Sequence, residues 1–149
     1  RAGRTLECIE VMKTLWCDDV SSHQGKYFSI GAAYQNPKPV QKPHIPILFG
    51  GESDPALLRV AQVGQGWYGF NLTPQLLEER LDHLARLLDE QSRSIEDIRI
   101  CVGPASSVRS AADFERFQSL GVDQVVLPVM AAKISSLEER AKKAIARVS

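Results

Sequence analysis

The residues whose types and spacing speak for chemistry lie together, in Gly50–Gly51 followed by Glu52, Ser53, Asp54 and Pro55. A glycine pair carries no Cβ, so at the end of a short apolar run (Ile45–Phe49) it lets a phosphate approach the backbone closely. A helix starting near Asp54 then aims unpaired N–H groups and its positive dipole end at that phosphate. In this arrangement backbone N–H groups of Gly50, Gly51, Glu52 and Ser53 and the Ser53 hydroxyl carry the contact. Glu52 and Asp54 are negative and must point away or cap the helix, because otherwise they repel the ligand. Taken alone, a glycine pair is also the mark of a plain strand-to-helix turn.

The remaining candidates read as structure. Trp67, in a Gly-Trp pair at a strand start, suits a packed core. His44 stands between prolines as a loop residue, and His23 and His83 fall on a hairpin and a polar helix face, where solvation is expected. Cys101, in an apolar run, reads as a small buried hydrophobe whose thiol burial makes inert. Asp18–Asp19 and the lysines of PKPVQK read as surface charge. No triad, metal-ligand cluster or paired-carboxylate arrangement emerges, so no catalytic residue is assigned.

These residues must be positioned by regular elements. Leu6, Ile9, Met12 and Leu15–Trp16 share one face of a helix over 4–16. Residues 17–44 break the pattern with prolines and glycines; pieces around Val20 and Tyr27–Ile30 are expected to pair as a small hairpin, and PKPVQKP to run extended. Strands follow at 45–49, 66–70, 98–103 and 122–127. Each precedes a helix: 55–63, capped by Asp54 and closed by Gly64; a long one opened by Thr73–Pro74 with Leu77, Leu81, Leu84 and Leu88 on one face; one capped by Ser110 and closed by Gly121; and a last one with a Ser136–Glu139 capping box, its face formed by Leu137, Ala141, Ala144, Ile145 and Val148. Strands alternating with helices imply a parallel sheet with right-handed crossovers. Four such units are either an open α/β sheet or half of a (β/α)8 barrel, which needs about 250 residues when whole.

Composition narrows the function classes. In 149 residues, 18 basic and 18 acidic side chains cancel, so the concentrated basic surface of a nucleic-acid binder is missing. No apolar run approaches the ~18 residues of a membrane span, and no charged-then-apolar leader opens the sequence. The 3 cysteines, without a CxxC, speak against a disulfide framework or structural zinc and for a cytoplasmic setting.

The stretch PKPVQKPHIPILFGGESDPALLRVAQVGQGW, residues 37–67, resembles the signature of the luciferase-like flavin and deazaflavin monooxygenase superfamily: PKPxQxPxPPIxxGG, a helix with Ala-Leu, then GDGW. RTLECIEVMKTLW, the Gly-x-Tyr-Phe of GKYF and the closing GVDQVVLPV are similar to further family segments. Ile45–Pro46 replaces the family's Pro-Pro, and Gln65 replaces the Asp of GDGW. The resemblance implies that residues 1–149 are a single partial domain: the C-terminal half, four βα units, of a (β/α)8 TIM barrel with an irregular insertion at 17–44. It further implies an oxidoreductase using F420, which is preferred, or FMN. Cofactor contacts fall at Gly50, Gly51, Glu52, Ser53, Trp67 and Asn71, with Phe70, Gly103–Pro104 and Pro128–Met130 on the same rim, a small-molecule substrate, and catalytic residues mostly outside this stretch. Family members generally pair as dimers, and strands 45–49 and 122–127 leave edges that favour self-association. The competing expectation is a non-catalytic half-barrel that serves binding or assembly, or an inactive fragment.

Overall fold

Leu6, Ile9, Met12 and Leu15 recur at helical spacing, and they lie on a helix, α1 (Ala2–Cys17). The computed structural model describes residues 2–146, in two units, one ending at Pro46 and the other starting at Ile47.

In the first unit α1 is followed by strands β1 (Ser21–Gln24) and β2 (Ser29–Ala33), an antiparallel hairpin with His23 opposite Ile30 and Gln24 opposite Ser29. The expected excursion is thus a hairpin and an extended proline connector, with no helix between Gly25 and Ala33. One buried carboxylate organises the hairpin turn. Glu7 of α1 accepts hydrogen bonds from the backbone N–H groups of Lys26 (3.1 Å), Tyr27 (2.8 Å) and Phe28 (2.7 Å). Gly25 is required there, since a Cβ would stand 2.3 Å from Glu7 Oε1 and 2.5 Å from His23 Nε2. His23 is not solvated as expected: its side chain is 14% exposed and its Nε2 lies 3.5 Å from Glu7 Oε1. Ser21 is buried too, and its hydroxyl donates to the Thr14 carbonyl. The connector is tied down by Lys38, whose ammonium donates to the carbonyls of Leu15 and Asp18.

The second unit runs β3 (Leu48–Gly50), α2 (Asp54–Val63), β4 (Gly66–Leu72), α3 (Pro74–Glu90), β5 (Arg99–Pro104), α4 (Ala111–Ser119), β6 (Gln124–Val125) and α5 (Leu137–Ile145). The four strands are parallel and in sequential order, β3-β4-β5-β6. Leu57 and Val60 of α2, Leu77, Leu84 and Leu88 of α3 and Phe117 of α4 are fully buried, together with Trp67 and Val102 of the sheet. The opposite face is open: Leu48, Phe70 and Val126 are 42%, 60% and 40% exposed. A sheet clad in helices on one side and bare on the other alternates in this way, because successive side chains point to opposite faces. Arg93, beyond α3, donates to the carbonyls of Val60, Ala61 and Gly64 and so ties down the end of α2, where helix carbonyls run out of intrahelical donors.

Several expectations are corrected. The first strand covers only Leu48–Gly50; Ile45 and Pro46 continue the connector, and Ile47 exchanges its backbone hydrogen bonds with Gln65 instead of the sheet ladder. The last strand shrinks from 122–127 to Gln124–Val125, although Asp123 and Val126 each donate once to β5. An irregular stretch and a single 3₁₀ turn (Ile134–Ser136) separate it from α5. Thr73 and Ser110 cap their helices as read, and Ser110 forms a full capping box with Asp113. Asp54 does not cap α2: Ser53 holds that position, and the N–H groups of Ala56 and Leu57 go to its carbonyl. The Ser136–Glu139 box does not form. Ser136 has helical backbone angles and donates its hydroxyl to the Lys133 carbonyl, while Glu139 pairs with Lys143. α5 buries none of its residues, with Leu137 and Ile145 exposed, and Val148 lies outside the described residues.

Candidate functional site

The glycine pair stands where β3 ends, at the C-terminal end of a parallel strand and ahead of α2, as the sequence predicts. Gly51 has φ +107°, a conformation side-chain-bearing residues rarely adopt, and a Cβ on it would lie 3.2 Å from the Ala56 Cβ. Gly50 is exposed, and a Cβ there meets nothing closer than 3.9 Å. Pro55 at the start of α2 has no N–H to satisfy. The exposed Ser53 makes no side-chain cap bond, so its hydroxyl is not committed to the helix.

The two acids beside the loop turn away from it. Glu52 accepts a 2.6 Å hydrogen bond from the backbone N–H of Phe70. Asp54 faces α3, with Arg80 Nη1 at 3.2 Å and His83 Nε2 at 3.5 Å from its Oδ1. Arg80 also reaches the Glu52 carbonyl at 3.4 Å. His83 therefore faces a carboxylate on a neighbouring helix, where the sequence suggested only a solvated polar face. The condition that Glu52 and Asp54 leave the loop clear is met by partners 18 to 29 residues away.

Trp67 is fully buried, and its indole N–H donates to the Gly51 carbonyl at 2.9 Å. It reaches the loop from behind, through the protein, and fixes the orientation of the peptide unit at Gly51. Gln65, where the family motif carries Asp, bridges Ile47 N–H and the Val63 carbonyl and so serves the local backbone. Asn71 is exposed, at φ +58°, next to an irregularity in the β4–β5 register between Phe70 and Leu72. Gly50 through Ser53, Phe70 and Asn71 are thus brought together at one end of the sheet, while Trp67 supports them from the core. Sequence reading missed the tether from Glu52 to Phe70, because its only signal is the pairing of strands in space.

Elsewhere on the same rim, β5 ends at Gly103–Pro104. A cavity of about 210 Å³ there is lined by Ser106, Arg109, Leu127 and Pro128, and one of about 540 Å³ beside it by Met130, Arg140 and Lys143. Cys101 is buried, and burial pushes its thiol pKa upward, as expected of an inert position. His44 packs against Trp16 within the first unit. Among the described residues no cluster of His, Cys, Asp and Glu is able to hold a metal ion, and no helix is long and apolar enough to cross a membrane.

Comparison with known proteins bears on the fold. An F420-dependent secondary alcohol dehydrogenase, solved with an F420-acetone adduct, superposes on 97% of this chain and 61% of its own with TM-score 0.73 at 14% identity. The F420-dependent tetrahydromethanopterin reductase of Methanopyrus kandleri matches 66% of this chain and 28% of its own (TM-score 0.59, 20% identity). EDTA monooxygenase of Chelativorans sp. BNC1 matches 80% and 34% (TM-score 0.53, 18% identity). These likenesses establish an α/β fold with a parallel sheet akin to that of luciferase-like barrel enzymes. An uncharacterized protein of Mycobacterium tuberculosis is 33% identical over 94 residues, 63% of this chain and 32% of that protein, so the chain spans about a third of this relative's length. Residues 1–146 match the model of one family, and the chain belongs to the luciferase-like monooxygenases.

Proposed function

We propose that this chain forms the C-terminal four βα units of a (β/α)8 barrel oxidoreductase, and that its glycine loop holds the phosphate end of F420 or, as the second choice, FMN. The observation that carries the reading is Gly51, at positive φ and with only 3.2 Å between an added Cβ and the Ala56 Cβ, ahead of a helix whose neighbouring acids are tied elsewhere. The bare face of the sheet, with Leu48, Phe70 and Val126 exposed, fits a lumen that the other four units complete. Two of the similar structures are named for their use of F420, which favours the deazaflavin.

The bound cofactor supplies the redox chemistry. The protein's part is to bind, orient and exclude. Backbone N–H groups at residues 50–53, the Ser53 hydroxyl and the N-terminal dipole of α2 hold the phosphate. The Trp67 indole keeps the Gly51 carbonyl turned inward, so that this peptide's oxygen does not face the anion. Asn71 borders the same space. Residues that move protons to the substrate lie mostly in the other half of the barrel. The protein pairs as a homodimer, as its family generally does, and its substrate is a small molecule.

The test is titration of the complete protein with FMN and F420 separately, followed by cofactor fluorescence. Gly51→Val is expected to weaken binding of the preferred cofactor to the level of its phosphate-free form, because a β-branched side chain resists positive φ and blocks close approach. Ser53→Ala is expected to weaken binding by about 1 kcal/mol, the worth of one hydrogen bond. If Gly51→Val folds normally and binds as tightly as wild type, the phosphate sits elsewhere.

A further inference from the structure

Phe70 is the most exposed aromatic side chain of the sheet unit, 60% exposed at the C-terminal end of β4 on the bare face. A large apolar ring left open to solvent at a ligand-bearing rim calls for a partner, and four features hold this one in place. The backbone N–H of Phe70 donates to Glu52 at 2.6 Å, which couples it directly to the glycine loop. The register slips between Phe70 and Leu72, where Asn71 takes φ +58°; such irregularities re-aim side chains beside sites. Tyr68, one pleat below on the same face, packs its ring 6.5 Å from that of Phe70 at 35°. Gly103 lies alongside, and a Cβ there would come within 2.6 Å of the Tyr68 hydroxyl and 3.1 Å of the Phe70 ring. The glycine thus gives both rings a flat floor.

We propose that Phe70, supported by Tyr68 over Gly103, is the stacking contact for the planar ring system of the flavin-type cofactor whose phosphate the glycine loop takes. The inference rests on the reading of that loop as the phosphate site, and adds where the ring goes. Tied through Glu52, the loop and the Phe70 backbone form one unit that grips the two ends of a single ligand. Phe70 is a binding and positioning residue and takes no part in proton or electron transfer.

Two probe pairs separate the ring from the phosphate: FMN with riboflavin, and F420 with its phosphate-free ribityl deazaflavin, each titrated against the complete protein. In wild type the phosphorylated member of one pair binds more tightly. Phe70→Ala is expected to weaken both members of that pair by about tenfold, the scale of one aromatic stacking contact, and to leave their ratio unchanged. Gly51→Val is expected to collapse the ratio while the phosphate-free member keeps its affinity. Phe70→Tyr, which retains the ring, is expected to bind as wild type does. Because the Phe70 side chain is outside the core, Phe70→Ala should keep the wild-type melting profile, measured alongside. Unchanged affinity of both members in Phe70→Ala overturns the ring contact and leaves the phosphate reading standing. Loss confined to the phosphorylated member also overturns it. No binding of any probe to wild type overturns both.

Discussion

In the first unit the group that organises the fold is a carboxylate: Glu7 takes three backbone N–H groups of the hairpin turn and faces His23. In the second unit the largest fully buried side chains are Trp67, Phe117, Leu57, Leu77, Leu84 and Leu88, packed without a buried charge among them. The hairpin has too few residues to enclose an apolar core, so a directional acceptor substitutes for buried area. The parallel sheet buries one whole face and needs no such acceptor. The difference predicts opposite sensitivities, with volume deciding the fate of the sheet and ionisation that of the hairpin.

The largest effect is expected from Trp67→Ala, about 3–5 kcal/mol of stability lost in urea unfolding, as for other buried aromatic deletions. Trp67→Phe keeps most of the volume but loses the bond to the Gly51 carbonyl, so a much smaller loss, nearer 1 kcal/mol, would show that packing dominates. Next comes Glu7. Burial by itself raises its pKa, but the N–H groups of Tyr27 and Phe28 and the nearby His23 outweigh that and hold the carboxyl below its ordinary 4.5. A depressed folded value means that the stabilisation is fully present above the ordinary carboxylate range and is lost as pH falls through the lower, folded value. Amide-exchange protection at residues 26–28 should therefore fall on acidification below about pH 4.5 in wild type. In Glu7→Gln it should be low already at neutral pH and insensitive to acid; protection that stays high there would mean the charge is irrelevant.

Smaller still is Ser110→Ala, which removes a formed capping box and should cost about 1 kcal/mol in thermal unfolding. The smallest is Ser136→Ala. That hydroxyl caps nothing, so the change should stay within about 0.5 kcal/mol; a loss equal to that of Ser110→Ala would restore the box the sequence suggested.

These serines show where a sequence is legible. Ser110 and Ser136 are each followed three residues later by an acid, yet only Asp113 reaches back to its cap. Glu139 has a lysine four residues on and pairs with it, a competitor the box pattern does not contain. The order and direction of the sheet strands were readable because apolar runs, caps and glycines are local signals. Their lengths were not, since Ile47 exchanges its bonds with Gln65 and β6 is an edge strand. The loop was readable from Gly50–Gly51. The release of Glu52 and Asp54 was not, because Phe70, Arg80 and His83 meet them only after the chain has crossed the sheet and back. Glu7 went unnoticed for the same reason, its partners lying 19 to 21 residues ahead.

The two tryptophans fall one to each unit. Trp16 is half-buried against His44, and Trp67 is fully buried with its N–H on the Gly51 carbonyl. An indole in a dry, apolar setting emits at shorter wavelength than one that water can reach, so the chain carries two intrinsic fluorophores of different colour. The bluer one is bonded to the peptide that frames the candidate phosphate loop. Its emission is an optical gauge of that loop, readable without any label, and a single Trp16→Phe change isolates it.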